Sequence, residues 1–391
     1  MKNNQFHKLA ALQTKRDKYI LGCISGTSMD GLDLALCNIN GFGTTLKADI
    51  LEAQTIPYPD ELYKPLRSLA FQPHINAREL CRLHTLLGRW TGNVITKACK
   101  GWNIPLSDID AIGSHGQTIF HAPDSGDKPV HGTLQISDGD HISRITGVPV
   151  VSDFRQKHIA GGGEGAPLAT YGDWLLCRSD SVHRILLNIG GISNFTFLPA
   201  KGSFSDCITG DIGPGNTLMD DFMKEHFGKP FDENGAIARK GTVHNALLKH
   251  LLGHNYFSKP FPKTTGQETF SKEWMRKCIA ECAAETSPED ILATLLQLTA
   301  KSIANALEQF TSIDKTEVYV SGGGANNPYL MEHLSMDLNL SIQKTDAIGC
   351  PADFKEALIF AVLTNETLCG SGFPSPDGIG IITFGKISIP Q

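Results

Sequence analysis

Tyr19-Ile-Leu-Gly-Cys-Ile-Ser-Gly-Thr-Ser-Met-Asp-Gly-Leu-Asp-Leu-Ala-Leu36 and Arg184-Ile-Leu-Leu-Asn-Ile-Gly-Gly-Ile-Ser-Asn-Phe-Thr-Phe197 are strand-like apolar runs, each interrupted by a glycine-rich turn. They stand far apart in the chain, as though one hairpin design were used twice. Turns rich in Gly, Ser, Thr and Asn direct backbone N–H groups and hydroxyls at an anion, and two such turns facing one another could grip a polyphosphate from both sides. The pattern implies a nucleotide cleft between two related lobes.

Working outward, helical spacing of Leu80, Leu83, Leu86, Leu87, Trp90, Val94 and Ile95 predicts a core helix over 77–100. Short strands are expected at 108–112, 133–136 and 148–152, with a Gly-rich loop over 160–167. Past the second hairpin, Gly213-Pro-Gly-Asn216 leads into a helix for which Asn216 is the expected N-cap. Ser287 before Pro288 opens a long apolar helix, and residues 317–320 form a strand that ends on Ser321-Gly-Gly-Gly324. Asp353 and Glu356, in capping-box spacing, open the last long helix, and a strand is expected over 379–384. Hairpins mixed with helical crossovers indicate α/β lobes.

A chain of 391 residues, 41% hydrophobic and 8% aromatic, suffices for two domains with full cores. The net charge of −6 and scattered basic residues build no stripe for nucleic acid or anionic lipid, so neither partner is expected. The polar first eighteen residues do not read as a signal peptide, and no apolar run is long enough to span a bilayer. Ten cysteines, without framework spacing or a CxxC, are expected as reduced core thiols. A cytoplasmic protein follows.

The usual nucleotide signatures, GxxxxGK[ST], GxGxxG after a strand, and HRD with DFG, are missing. In their place stand Ser25-Gly-Thr-Ser-Met-Asp-Gly-Leu-Asp33, Gly113-Ser-His-Gly-Gln-Thr118, Thr133-Leu-Gln-Ile136, Asp153-Phe-Arg155, Gly163-Glu-Gly-Ala-Pro-Leu168, Leu187-Asn-Ile-Gly-Gly-Ile192, Asp211-Ile-Gly-Pro-Gly-Asn216 and Ser321-Gly-Gly-Gly324. In this order they resemble the sugar kinase, actin and Hsp70 superfamily, and within it the anhydro-N-acetylmuramic acid kinase family. The resemblance implies two RNase-H-like lobes of the actin, hexokinase and Hsp70 type. The first would span residues 1–150, the second 151–364, with 365–391 returning to the first. It implies an ATP- and Mg²⁺-dependent enzyme that opens 1,6-anhydro-N-acetylmuramic acid with water while phosphorylating O6, in peptidoglycan recycling. A homodimer acting on a small-molecule sugar is also implied. Alternatives are a kinase for another anhydrosugar such as levoglucosan, or an Hsp70- or actin-like ATPase.

Residue by residue, Asp211 matches the catalytic base and could instead merely cap its turn. Gly26, Thr27, Ser28, Met29, Asp30, Gly31, Leu32 and Asp33 correspond to the ATP segment, with Asp30 or Asp33 positioning Mg²⁺ through water; Asp30-Gly31 is equally a common hairpin turn. Gly190, Gly191 and Gly213 would complete the phosphate site, and Gly322, Gly323 and Gly324 the adenosine loop. His115, Gln117, Arg155, Asn216 and Glu356 are assigned to the sugar. Arg155 suits a carboxylate or phosphate but could pair with Asp153, and Glu356 could be only a helix cap. The sequence departs from the family pattern at His158 and Gln267, where the resemblance has many relatives carrying Asp and Arg.

Overall fold

The computed structural model describes residues 5–26, 29, 31–122, 130–266, 268–312 and 314–390. Two compact units emerge, Met1–Leu176 with Phe354–Gln391, and Cys177–Asp353.

In the first unit, β1 (Asp17–Ser25), β2 (Leu32–Asn40) and β3 (Lys47–Ile56) form an antiparallel meander. Then β4 (Ala111–Ala122) runs parallel to β1, β5 (Gly132–Ile136) pairs with β4, and β6 (Val150–Ser152) runs parallel to β4. In the second unit, β7 (His183–Ile189), β8 (Ile192–Leu198) and β9 (Ile208–Pro214) repeat the meander, and β10 (Thr316–Ser321) and β11 (Ile342–Lys344) repeat the parallel additions. Back in the first unit, β12 (Phe373–Pro374) pairs with β13 (Ile381–Ile382), and β14 (Lys386–Ser388) joins β6. The sheet orders are therefore β14-β6-β4-β1-β2-β3 and β11-β10-β7-β8-β9. Both contain the same meander-plus-parallel core, the mixed α/β design expected of RNase-H-like lobes.

The divisions fall at 176/177 and 353/354, whereas the motifs suggested 150/151 and 364/365. Packing explains the position of the second division. The helix Lys355–Cys369 lies against β1 and β4 so closely that a Cβ on Gly22 would overlap Ala357 O, and one on Gly113 would lie 2.6 Å from Phe360 O. Glycine at these two positions is thus a packing requirement. The second core is built around the helix Pro288–Thr311, whose start is as expected: Ser287 accepts a bond from Asp290 N and Pro288 follows it.

Two other expectations are corrected. No side chain caps the helix Lys355–Cys369, so the Asp353–Glu356 capping box does not form; Phe354 occupies the N-cap position. Within 379–384 only β13 is strand, because Gly378 and Gly380 hold φ of 75° and 93° and turn the backbone.

Candidate active site

In the second unit three turns meet. The β7–β8 turn at Gly190 and Gly191 accepts backbone bonds from Gly215 N (2.9 Å to Gly191 O), Asn216 N (2.8 Å to Gly190 O) and Thr217 N (3.3 Å to Gly191 O). Buried Thr299 donates its hydroxyl to Gly215 O at 2.9 Å, fixing the 213–216 turn from behind. The third turn begins at Gly322, whose φ of +84° and neighbours Asn188 Oδ1 and Ile189 O, 2.6 and 2.7 Å from where a Cβ would be, exclude a side chain. Asn216 stands between these turns. It takes the N-cap position of the helix Thr217–His226 but caps nothing with its side chain; its Nδ2 donates to Ile189 O at 3.3 Å, and its amide adjoins Gly323 and Gly324. Missing Cβ atoms and the start of the helix Thr217–His226 in one place let an anionic chain approach the backbone at a helix N-terminus.

Asp211 lies on β9, the edge strand, beside a bulge: it pairs with Asn194 while Gly213 pairs with Ser193. Its surroundings come from a later segment. Asp211 N donates to Lys263 O (2.9 Å), Thr265 N donates to the carboxylate Oδ2 (2.9 Å), and Tyr256 Oη donates to Asp211 O (2.7 Å). Lys263 Nζ in turn donates to the carbonyls of Tyr256 (3.1 Å) and Phe257 (3.3 Å) and lies over the rings of Tyr256 and Phe261. Burial pushes the Asp211 carboxyl up from its ordinary pKa; the Thr265 N–H opposes this and the negative charge of Glu268 adds to it. A half-buried carboxylate with one firm donor is suited to accepting a proton. Sequence reasoning missed Tyr256, Thr265 and Glu268; the polar Lys263-Thr-Thr-Gly-Gln-Glu268 run among aromatics was the available signal. Gln267 lies outside the described residues.

In the first unit the β1–β2 hairpin is only partly described: Thr27, Ser28 and Asp30 lie outside the described residues. Met29 N donates to Gly26 O at 3.3 Å, and the Met29 side chain is buried among Tyr58, Leu62 and Ile119, leaving only its backbone for a ligand. Leu32 is likewise buried, in the cluster behind the sheet. Gly31 packs on β3, where a Cβ would lie 2.5 Å from Ile56 O. Asp33 accepts from Thr55 Oγ1 at 2.6 Å. Gln117 is fully buried: its Oε1 accepts from Ser25 Oγ (2.6 Å) and Tyr58 Oη (3.4 Å), and its Nε2 donates to Gly26 O (3.2 Å) and Thr118 O (3.3 Å).

His115 and Arg155 form a chain. Arg155 Nε donates to His115 Nε2 at 2.9 Å, so the imidazole proton sits on Nδ1, 3.0 Å from the Gly116 carbonyl it donates to. Burial and the Arg155 charge hold the His115 pKa well below the ordinary imidazole value, so this ring stays neutral. Arg155 Nη1 donates to Gly165 O at 2.7 Å, and burial brings the guanidinium down to about 10 while Glu356 opposes that. The alternative Arg155–Asp153 pair is absent: Asp153, at φ 54°, meets Lys386 of β14. Glu356 keeps a solvent-accessible side chain, yet the surrounding protein pushes its carboxyl up, against the pull of Lys355 and Arg155 and with Asp33 and Asp173 adding to it. His158, one of the two departures, accepts from Gly165 N at 2.9 Å and braces the loop that holds Arg155. Burial brings its pKa to about 4.

Among the described residues no group of three or more His, Cys, Asp or Glu side chains could hold a metal, and no helix is long and apolar enough to cross a membrane. None of the ten cysteines is joined to another by a disulfide.

The family described as anhydro-N-acetylmuramic acid kinase matches residues 18–381. A protein of Pseudoalteromonas atlantica bearing that name is 43% identical over 400 residues, covering 100% of both chains. One of Caldanaerobacter subterraneus subsp. tengcongensis, with the same name, is 37% identical over 98% of this chain and 100% of its own. The crystal structure of component A of the Acidaminococcus fermentans (R)-2-hydroxyglutaryl-CoA dehydratase is similar at 13% identity, 90% and 99% coverage and a TM-score of 0.46, too remote to bear on function. On the first three findings, the chain belongs to the anhydro-N-acetylmuramic acid kinase family.

Proposed function

We propose that this chain uses ATP to phosphorylate O6 of 1,6-anhydro-N-acetylmuramic acid while water opens the anhydro bridge, yielding N-acetylmuramic acid 6-phosphate and ADP in cell-wall recycling. Membership of the family supports the substrate, and the carboxylate of Asp211 beside the 213–216 turn carries the mechanism.

In this reading Asp211 takes a proton from water as the water oxygen bonds to C1. The C1–O6 bond breaks towards O6, O6 attacks the γ-phosphorus in line, and the bond to ADP breaks; Asp211 then returns its proton to solvent. Because the departing oxygen is itself the phosphoryl acceptor, no separate acid is needed. The Thr265 N–H fixes the carboxylate's direction, and burial raises its affinity for the transferred proton. Gly190, Gly191 and Gly213 address the phosphates, Gly322, Gly323 and Gly324 admit the adenosine, and Asn216, beside Gly323 and Gly324, meets the sugar. In the first unit Gly26 and Gly31 frame a hairpin of the same kind, a second turn suited to phosphate.

Arg155, oriented by neutral His115 and by Gly165 O, meets the lactyl carboxylate, and Glu356 accepts from sugar hydroxyls. Gln117, expected at the sugar, is assigned instead to holding the first hairpin, since its amide is engaged with Ser25, Tyr58, Gly26 and Thr118. Mg²⁺ retains most of its water and binds mainly to phosphates; Asp33 would hold it through water, and the ion would neutralise phosphate charge. A cytoplasmic enzyme is supported by ten cysteines outside disulfides, and a homodimer by the family resemblance alone.

NMR of the product formed in ¹⁸O-labelled water tests the reading. Label at C1 together with phosphate on O6 is expected; phosphorylation that leaves the bridge closed, or turnover of levoglucosan alone, would overturn it.

A further inference from the structure

A cavity of about 760 Å³ in the first unit, lined by Gln54, Tyr58, Trp90, Asn93, Lys97 and Trp102 among others, has no part in the reaction described above. Its volume is that of small-molecule sites. We propose that it is a second saccharide site, taking a pyranose that carries a negative charge, and that its occupancy is felt by the first phosphate hairpin.

The walls suit such a ligand. Trp90 and Trp102 are partly buried in the cores behind them and present indole surface to the cavity, and Trp90 is steadied by the Tyr58 ring at 4.9 Å. Rigid aromatic surface takes the apolar C–H face of a sugar ring at little cost in side-chain entropy. The side chains of Gln54, Asn93 and Lys97 have no hydrogen-bond or ion-pair partner among the described residues. Two amides answer hydroxyl or acetamido groups, and an unpaired ammonium answers a carboxylate or phosphate. A purely apolar guest would use the indoles and leave all three polar groups to water.

The cavity also adjoins the hairpin. Its rim residues Ile56 and Pro57 lie against Gly31, where a Cβ would be 2.5 Å from Ile56 O and 3.2 Å from Pro57 Cα. Its wall residue Tyr58 donates to Gln117, which donates to Gly26 O. The Gly31 end of the phosphate turn therefore rests on the lining residue Ile56, and the Gly26 end on Gln117, which the lining residue Tyr58 contacts.

The test uses the full chain with N-acetylmuramic acid as the anionic probe and N-acetylglucosamine as its neutral counterpart, followed by calorimetry and tryptophan fluorescence. Lys97→Ala and Trp102→Phe should each weaken one binding event for the anionic probe by roughly tenfold or more, while turnover of the anhydrosugar without probe stays unchanged. Hydrogen exchange at 54–59 and at the ends of the first hairpin should slow on saturation. Identical isotherms in wild type and both variants, equal binding of the neutral probe, or protection absent from 54–59 would each overturn the proposal. A chain without kinase activity that still loses this event in Lys97→Ala would defeat the proposed function and leave the second site standing.

Discussion

Replacing Gly215 with alanine tests whether the three turns of the second unit act as one assembly. The added Cβ would overlap Gly190 O outright and lie 3.0 Å from Ser193 Oγ and 3.2 Å from the Gly190 carbonyl carbon. The overlapping atom belongs to the Gly190 backbone and cannot swing aside as the Ser193 hydroxyl could, so the turns must separate. Separation breaks the bonds from Gly215 N, Asn216 N and Thr217 N, at 2.9, 2.8 and 3.3 Å. At about 0.5–1.5 kcal/mol net for each, their loss costs roughly 2–4 kcal/mol, a large part of the 5–15 kcal/mol that typically holds a domain. Gly190→Ala is the control. The nearest atoms to its Cβ are 3.6 Å away, ordinary contact, so a change below about 1 kcal/mol is expected. Urea unfolding followed by far-UV circular dichroism, with KM for ATP measured on the folded fraction, reads both variants. Equal stabilities for the two, together with an unchanged KM for ATP in Gly215→Ala, would refute the view that these turns are mutually supported.

Asp211→Asn keeps an oxygen for Thr265 N but removes the base, so kcat should fall about 10²–10⁴-fold with KM for ATP nearly unchanged; a smaller loss in single-turnover kinetics would remove Asp211 from the chemistry. A base works ionised, so activity is lost as pH falls through its raised pKa, and Glu268→Gln, which deletes a charge that raises it, should move the acid limb of the kcat profile to lower pH. An unmoved limb would count against the assignment. His158 has a folded pKa of about 4 against about 6.5 unfolded, so the unfolded chain binds the proton first and stability falls by about 2 kcal/mol between pH 7 and pH 5. His115 acts in the same direction, and His158→Gln should flatten part of the slope of melting temperature against pH. Arg155→Lys cannot reproduce the paired contacts to His115 and Gly165 O, and should lower kcat/KM for the anhydrosugar about tenfold or more while ATP binding is kept; unchanged kcat/KM would place the sugar elsewhere.

Local chemistry alone marked the two hairpins, the Ser287-Pro288 helix start and the glycine turns, because backbone conformation and strand periodicity are written within a few neighbouring residues. The order of the motifs was enough to indicate the family. Tertiary structure decided which side chains remain available for chemistry. Gln117 and Met29 lie within their motifs, yet one is hydrogen-bonded to Ser25 and the other buried under Tyr58. Arg155 could have met Asp153 two residues away and instead meets His115 and Gly165, while Asp153 goes to Lys386. The partners that hold Asp211, Tyr256 and Thr265, arrive from a segment 45 and 54 residues further on. Such pairings depend on where packing brings distant strands and loops together, and hydrogen-bond capacity by itself does not say which partner a side chain will find.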